Sequence, residues 1–472
     1  MSLNVGVAPA PRGWRAPAVG QRPVGPWSEH PLKRVWARNN SWLLPSLGAL
    51  LGAALAVLFV ANPFGTQYGP LRGLAWRITV AQARTGLGSV LGVVLTSLSI
   101  SLSVSLVVLQ NTASQYSPRL LRLFMHRWGF RILVPTFVAT GVYCLVGIYA
   151  FGFVTDPGEA PRPALSIAML LLVCCGAALV FQMTYMLTLV RAEQIVRQTK
   201  SYSLKVAHML DDRRRLDAEQ PPTAPALSGT WRPVLSPASG FVVDLDARAL
   251  LRLARAHGLV IQMDVVIGEP VMRGSRLGRM LSEKGPLEED SPVREAVERA
   301  VIIGPWREPD RDLALGVRQL VDVAIKALSP GVNDPSSAVE ALDELTVLLC
   351  ELCALRQGPR VLAGPTGHPR VFLRALELGD YLLLATDQIG RYGAREPAVV
   401  LRLLRLAGEV GLRARREQDQ RASRELLHQM RAAAESALGD SPRLPLVRRY
   451  AEEVEQSLEH AQPLPPLPAL GF

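Results

Sequence analysis

The stretch TGLGSVLGVVLTSLSISLSVSLVVLQNTASQYSP, Thr85 to Pro118, decides the fold. It contains no Asp, Glu, Lys or Arg. Its serines alternate with apolar residues from Ser97 to Ser105, which would suggest a strand. An open strand edge cannot satisfy its backbone in hydrocarbon, however, so an uncharged run of this length reads as a transmembrane helix. Two positions on a helix advance about 200°. Ser97, Ser101 and Ser105 therefore form one stripe, and Ser99 and Ser103 a second, roughly 160° away. Such hydroxyls serve either close helix packing or a polar path through an oligomer. The candidates to line a path are Ser97, Ser101, Ser105 and Gln110.

Three further uncharged runs flank this one, giving spans at about residues 42–62, 87–110, 132–154 and 164–190. Soluble helices rarely sustain four such runs in succession. Orientation follows from Lys and Arg, which concentrate on the cytoplasmic side. Arg12, Arg15, Arg22, Lys33, Arg34 and Arg38 precede the first span. Arg119, Arg122, Arg127 and Arg131 lie between the second and third, and Arg191, Arg197, Lys200 and Lys205 follow the fourth. Both termini are thus expected in the cytoplasm. The first loop disagrees, with Arg72, Arg77 and Arg84. Its LRGLAWRI, Leu71–Ile78, is expected as a short interfacial helix. A second surface helix is expected at Pro118–Gly129, with Ser117 as N-cap. Trp36, Trp42, Trp76 and Trp128 fall near the span boundaries, as an aromatic belt requires.

Of the 472 residues 49% are hydrophobic, concentrated in the first 200, and the net charge is +11. That charge flanks apolar segments, so it reads as membrane topology and attraction to anionic lipid rather than nucleic-acid binding. Residues 1–35, rich in Pro, Gly and Arg, read as a disordered basic tail without a signal peptide. Cys144, Cys174 and Cys175 lie inside spans as small packing residues. Cys350 and Cys353 form a C-x-x-C within an apolar helix, without a second pair or a nearby His to complete a metal site.

After the fourth span a polar helix and a Pro-rich linker fill residues 201–233. A small β-rich module follows at 234–284, with strands at Phe241–Val243, Val260–Met263 and Val265–Ile267 and a helix at Ala247–His257. Its GEPV and GSRL turns look like the barrel-sandwich of lipoyl and biotinyl carriers. No lysine lies between Lys205 and Lys284, which argues against a carrier role. Residues 285–460 read as a helical domain with Pro305–Asp312 as a solvated connector, and 461–472 as a disordered tail. The fold class is mainly α, with a four-helix transmembrane domain and then a cytoplasmic α+β region.

The most distinctive soluble stretch is GVRQLVDVAIKALSPGVNDP, Gly316–Pro335. Arg318, Asp322 and Lys326 stack at i, i+4 spacing on one helix face. Gly331 is expected to supply a positive φ. Asp334 would cap a helix that begins at Pro335 and turns Val339, Leu342, Leu345 and Leu348 inward. A structural cap explains this pattern. The functional alternative is a ligand or interface site of Arg318, Asp322, Lys326, Asn333 and Asp334. No nucleophile elbow, zinc-binding helix, Walker loop or dinucleotide fingerprint is present. Hence no catalytic residue, metal or cofactor is expected, and the chain does not read as an enzyme.

Three stretches, Gln115–Leu121, Ser239–Val242 and Arg318–Pro335, resemble a bacterial family of membrane proteins known as domain of unknown function 2254. The likeness covers about residues 40–440. Where that family usually carries an Arg-Thr and a Gln-Asp pair, this chain has Trp306–Asp312. The resemblance implies a bacterial plasma-membrane protein and supplies no activity. The expected function is a passive ion or small-solute channel, formed by a homo-oligomer and gated by its cytoplasmic domain. The alternative is a membrane-anchored scaffold or sensor that binds a cytoplasmic partner or ligand.

Overall fold

The computed structural model describes residues 40–61, 76–115, 128–153, 160–189, 192–216, 230–283, 292–363 and 368–471. The basic tail, most of the first loop, the surface helix expected after Ser117 and most of the Pro-rich linker lie outside them. Four helices are long and apolar enough to cross a membrane: α1 (Asn40–Ala56, continued by a π-helical turn, Val57–Ala61), α2 (Val80–Gln115), α3 (Trp128–Ala150) and α4 (Ala164–Leu189). All four coincide with the expected spans, although α2 begins earlier and takes in Arg84. Leu47, Leu50, Leu106, Val173 and Val180 turn outward, as side chains facing lipid would.

Inside the bundle, α1 and α3 approach backbone to backbone. Gly48 and Gly52 sit one turn apart, and a Cβ at either would overlap the carbonyl oxygen of Pro135 or Ala139. This is the small-residue spacing that lets membrane helices pack closely. The Tyr143 hydroxyl of α3 donates to the Ala164 carbonyl at 2.8 Å and fixes the start of α4. The first loop is not helical where it is described. Trp76–Ile78 is a strand (β1) paired antiparallel with Ala160–Arg162 (β2). Two extended loop segments satisfy each other's backbone groups in this way, and the pairing puts the first and third loops at the same end of the bundle.

Beyond the bundle, α5 (Ala192–Leu216) leads into a second, mostly helical body. It packs with α8 (Leu313–Ala327), α9 (Pro335–Leu352), α10 (Leu378–Gly393), α11 (Pro397–Arg413), α12 (Glu417–Leu438) and α13 (Leu444–His460) around one core. Val317, Leu320, Leu342, Leu345, Ile389 and Leu404 are fully buried there. Gly316 permits the α5–α8 contact, because a Cβ would overlap the Ser203 hydroxyl. Lys200 meets Glu344 of α9 at 2.8 Å, both side chains about four-fifths buried.

Two sheets sit beside the helices. One has the order β3–β7–β5–β10–β9: Arg232–Leu235, Arg276–Ser282, Leu259–Met263, Pro369–Leu373 and Arg360–Ala363. The other is β6–β4–β8: Pro270–Val271, Gly240–Leu245 and Val301–Gly304. Helix α6 (Ala247–His257) has the bounds its sequence gave it, with Asp246 as N-cap and Gly258 as C-cap. The self-contained module expected at 234–284 is larger. β8, β9 and β10 come from the segment expected to be all helical, as does α7 (Pro292–Arg299). Val297, Val301, Leu362, Val371 and Leu373 complete its apolar core. Residues 265–267, expected as a strand, belong to neither sheet.

The last residues are packed, not loose. Leu464, Leu467 and Leu470 lie against the helical core. Arg405 donates to the Pro465 carbonyl at 2.8 Å, and Ser457 to that of Pro463 at 3.3 Å. Proline supplies acceptors without needing donors, which suits a chain end laid over a helix surface.

Candidate functional site

The Gly316–Pro335 stretch folds as its cap chemistry dictates. Asp334 accepts from the Ser337 amide at 3.2 Å and from its hydroxyl at 2.6 Å, and α9 starts at Pro335. The positive φ falls on Asn333, at 48°, not on Gly331. Asn tolerates this region better than most residues with a side chain. Arg318 pairs with Asp322 at 3.0 Å and is half-buried rather than exposed, so the pairing stays within one helix face. Lys326 has no acidic partner among the described residues. These five residues thus cap α9 and decorate α8, and none of them lines the cavity described below.

The serine stripe of α2 points inward. Ser101 and Ser105 are fully buried in the protomer, Ser97 is half-buried and Gln110 exposed. Gln182 of α4, also fully buried, lies 3.5 Å from the Ser105 hydroxyl. The stripe therefore faces a neighbouring helix of the same chain. Ser103, on the opposite stripe, is exposed and donates to the Ser99 carbonyl at 2.9 Å. Cys350 and Cys353 are half-buried at the end of α9, and burial pushes their thiols up to about 11 and about 12.

The site that gathers side chains lies elsewhere. A cavity of about 1060 Å³ opens where the sheets meet the helical body. Helix α5 supplies Arg213 and Arg214 at its far end. Helix α6 supplies Arg248, Arg252 and Arg255, at i, i+4 and i+7 on the face opposite its buried Leu250 and Ala254. Arg311 precedes α8, Arg356 and Arg360 follow α9, and Arg374 follows β10. Against these nine arginines the described lining has three aspartates, Asp244, Asp246 and Asp312, an excess of six positive charges. The rest is largely apolar, from Leu245, Leu251, Ile267, Leu355, Leu376 and others.

The carboxylates are occupied. Asp246 caps α6, accepting from the Ala249 amide at 2.9 Å. Asp312 caps α8 through Leu315, at 2.9 Å, and grips Arg307 with both oxygens, at 2.6 and 2.9 Å. Asp244 pairs with Arg311. The 305–312 segment, expected as a solvated connector, is thus held to the cavity wall through Arg311 and Asp312. Arg214 donates to the Arg356 carbonyl at 3.0 Å, and the buried Asp211 accepts from the Arg356 amide at 2.9 Å. The tip of α5 thereby fastens the loop after α9. Tyr381 also lines the cavity; burial, with Asp312 nearby, pushes its phenol above the ordinary range, so it stays a neutral donor.

Sequence reasoning missed this site because its residues come from six separated segments. The one local signal is the arginine stripe of Ala247–His257, where Arg248, Arg252 and Arg255 share a helix face.

A family model described as "Predicted membrane protein (DUF2254)" matches residues 38–408. Among curated proteins, uncharacterized proteins of Mycobacterium bovis and Mycobacterium tuberculosis are each 29% identical over 377 residues, covering 78% of this chain and 71% of their own. No solved structure gives a significant match. The family match spans most of the chain, from the start of the bundle into α11, and the chain belongs to the predicted membrane protein family DUF2254.

Proposed function

We propose that the protein is a plasma-membrane receptor: four helices hold it in the bilayer, and a cytoplasmic domain takes a small ligand in the arginine-lined cavity. This is a binding role rather than a catalytic one. The observation that carries it is the position of the cavity. One wall is the end of α5, and α5 begins three positions after the last residue of α4. At 1.5 Å per residue, its 25 residues make a rod of about 37 Å between the bundle and the cavity. The Lys200–Glu344 pair and the Gly316 contact clamp that rod to the helical body. Movement of the cavity walls would thus reach the fourth span through packed, hydrogen-bonded elements. The Lys and Arg distribution supports the cytoplasmic side for this domain.

The test uses the full chain in nanodiscs. Melting is followed with adenosine, citrate, inorganic triphosphate and ATP, for the native chain and for Ala375→Trp, which blocks a half-buried point of the lining. Saturable stabilisation by at least one probe, lost in Ala375→Trp, is expected. No stabilisation by any probe would overturn the reading.

A second reading, the passive channel, is favoured by one observation. The Ser101 hydroxyl and the Gln182 side-chain carbonyl are buried in the bundle without a hydrogen-bond partner among the described residues. Buried polar atoms of this kind hold water where there is room for it. The path would then run between α2 and α4, within a protomer or a homo-oligomer of protomers. Ion flux into proteoliposomes that falls in Gln182→Leu would support it, and silent liposomes would dismiss it.

A further inference from the structure

We propose that the cavity takes a soluble, nucleotide-sized molecule carrying two or more phosphate groups, a step that rests on the receptor reading above and names the ligand class of the same site. Charge comes first. The described lining sets nine arginines against three aspartates, and like charges around one cavity repel each other, a repulsion that folding has to bear. A monocarboxylate would relieve little of it, whereas a polyphosphate answers most of it. The preference for Arg over Lys carries no weight here, because the whole chain has only five lysines. What carries weight is convergence. Arg213, Arg252 and Arg356 come from α5, α6 and the loop after α9, and no ion pair joins any of them to an acidic side chain among the described residues.

Size comes second. Ligand pockets usually run from about 300 to 1,000 Å³. At about 1060 Å³ this one has room for far more than an inorganic anion. Chemistry comes third. Leu245, Leu251, Leu355 and Leu376 line the same cavity between the arginines, with the buried Tyr381 hydroxyl as a neutral donor. A ligand that answers both kinds of lining carries anionic groups and a flat or apolar part. Guanidinium forks suit phosphate oxygens in a bidentate manner. The backbone of the loop bearing Arg356 is already held by Asp211 and Arg214, so part of the site is organised before anything binds.

A phosphate can also belong to a lipid headgroup, so the experiment separates the two sources. The full chain in nanodiscs of neutral lipid is titrated with ATP, inorganic triphosphate, citrate and adenosine, and the ATP titration is repeated in nanodiscs rich in anionic phospholipid. ATP is expected to bind most tightly, triphosphate next, citrate and adenosine weakly or not at all. Arg252→Ala and Arg356→Ala should each weaken ATP binding ~10-fold or more, as loss of a charged hydrogen bond does. Both side chains are exposed, so the fold should survive, and an unchanged melting temperature without ATP checks it. Arg424→Ala, on the exposed face of α12, should leave binding unchanged. Citrate or adenosine binding as tightly as ATP, or arginine variants binding like the native chain, would overturn the phosphate assignment while leaving a receptor. Anionic lipid that abolishes ATP binding would assign the site to a headgroup instead. No saturable binding by any probe would remove the receptor reading with it.

Discussion

Replacing Asp211 tests how the end of α5 is tied to the cavity. Its side chain is almost fully buried. One carboxylate oxygen accepts from the Arg356 amide at 2.9 Å, the other from Arg215 at 2.8 Å. Asp211→Ala removes a charged acceptor and leaves that amide without its partner, which costs about 1.5–3 kcal/mol. The Arg215 side chain is 60% exposed, so its ion pair adds no more than ~0.5 kcal/mol. The total is about 2–3 kcal/mol. For a body of roughly 150–250 residues each kcal/mol moves the midpoint by about 2–4 °C, so a fall of ~4–12 °C is expected. Asp211→Asn keeps an acceptor for the amide and should lose less than half as much. The assay is thermal melting of the full chain in nanodiscs, with α-helical content as the signal. Equal losses in the two variants would place the effect in the Arg215 pair rather than the amide. No loss in Asp211→Ala would refute the fastening of this loop by α5.

Other expectations follow from the same geometry. Gly52→Ile should separate α1 from α3 and lower resistance to unfolding in detergent, because its Cβ would overlap the Ala139 carbonyl; Gly88→Ile, at an open position on α2, should not. Gly316→Ala should destabilise the helical body by about 1–3 kcal/mol, measured by denaturant unfolding, and Ser203→Gly in that background should return part of the loss. With its thiol pushed up to about 11, Cys350 should be alkylated at pH 8 about 100-fold more slowly than a cysteine at the ordinary value, by mass spectrometry of timed samples. Cys353, pushed up to about 12, should react more slowly still.

The sequence disclosed what local physics decides. Span length needs only an uncharged run, and the four helices appear where those runs lie. Caps need only neighbours, so Asp246 with Gly258 and Asp334 with Pro335 set their helix ends as read. Even the error at Gly331 was small, because Asn333 supplies the turn two residues later. Long-range pairing was not legible. Val301–Gly304, Arg360–Ala363 and Pro369–Leu373 are short apolar runs, and nothing local says that β10 will lie parallel to β5. The proline-rich end looked disordered because its three leucines have a core only once α11 and α13 are in place. The cavity was hidden for the same reason. Asp312 and Arg307 looked like surface charges until Gly268 and the start of α8 closed around them.

Hydrogen–deuterium exchange of the full chain in neutral-lipid nanodiscs, with and without ATP, tests the central claim most directly. Slower exchange is expected at the α5 tip around Arg213, along the Arg248–Arg255 face of α6 and in the loop at Arg356, with a smaller change where α5 joins α4. Exchange unchanged in all of these segments at saturating ATP would contradict the account.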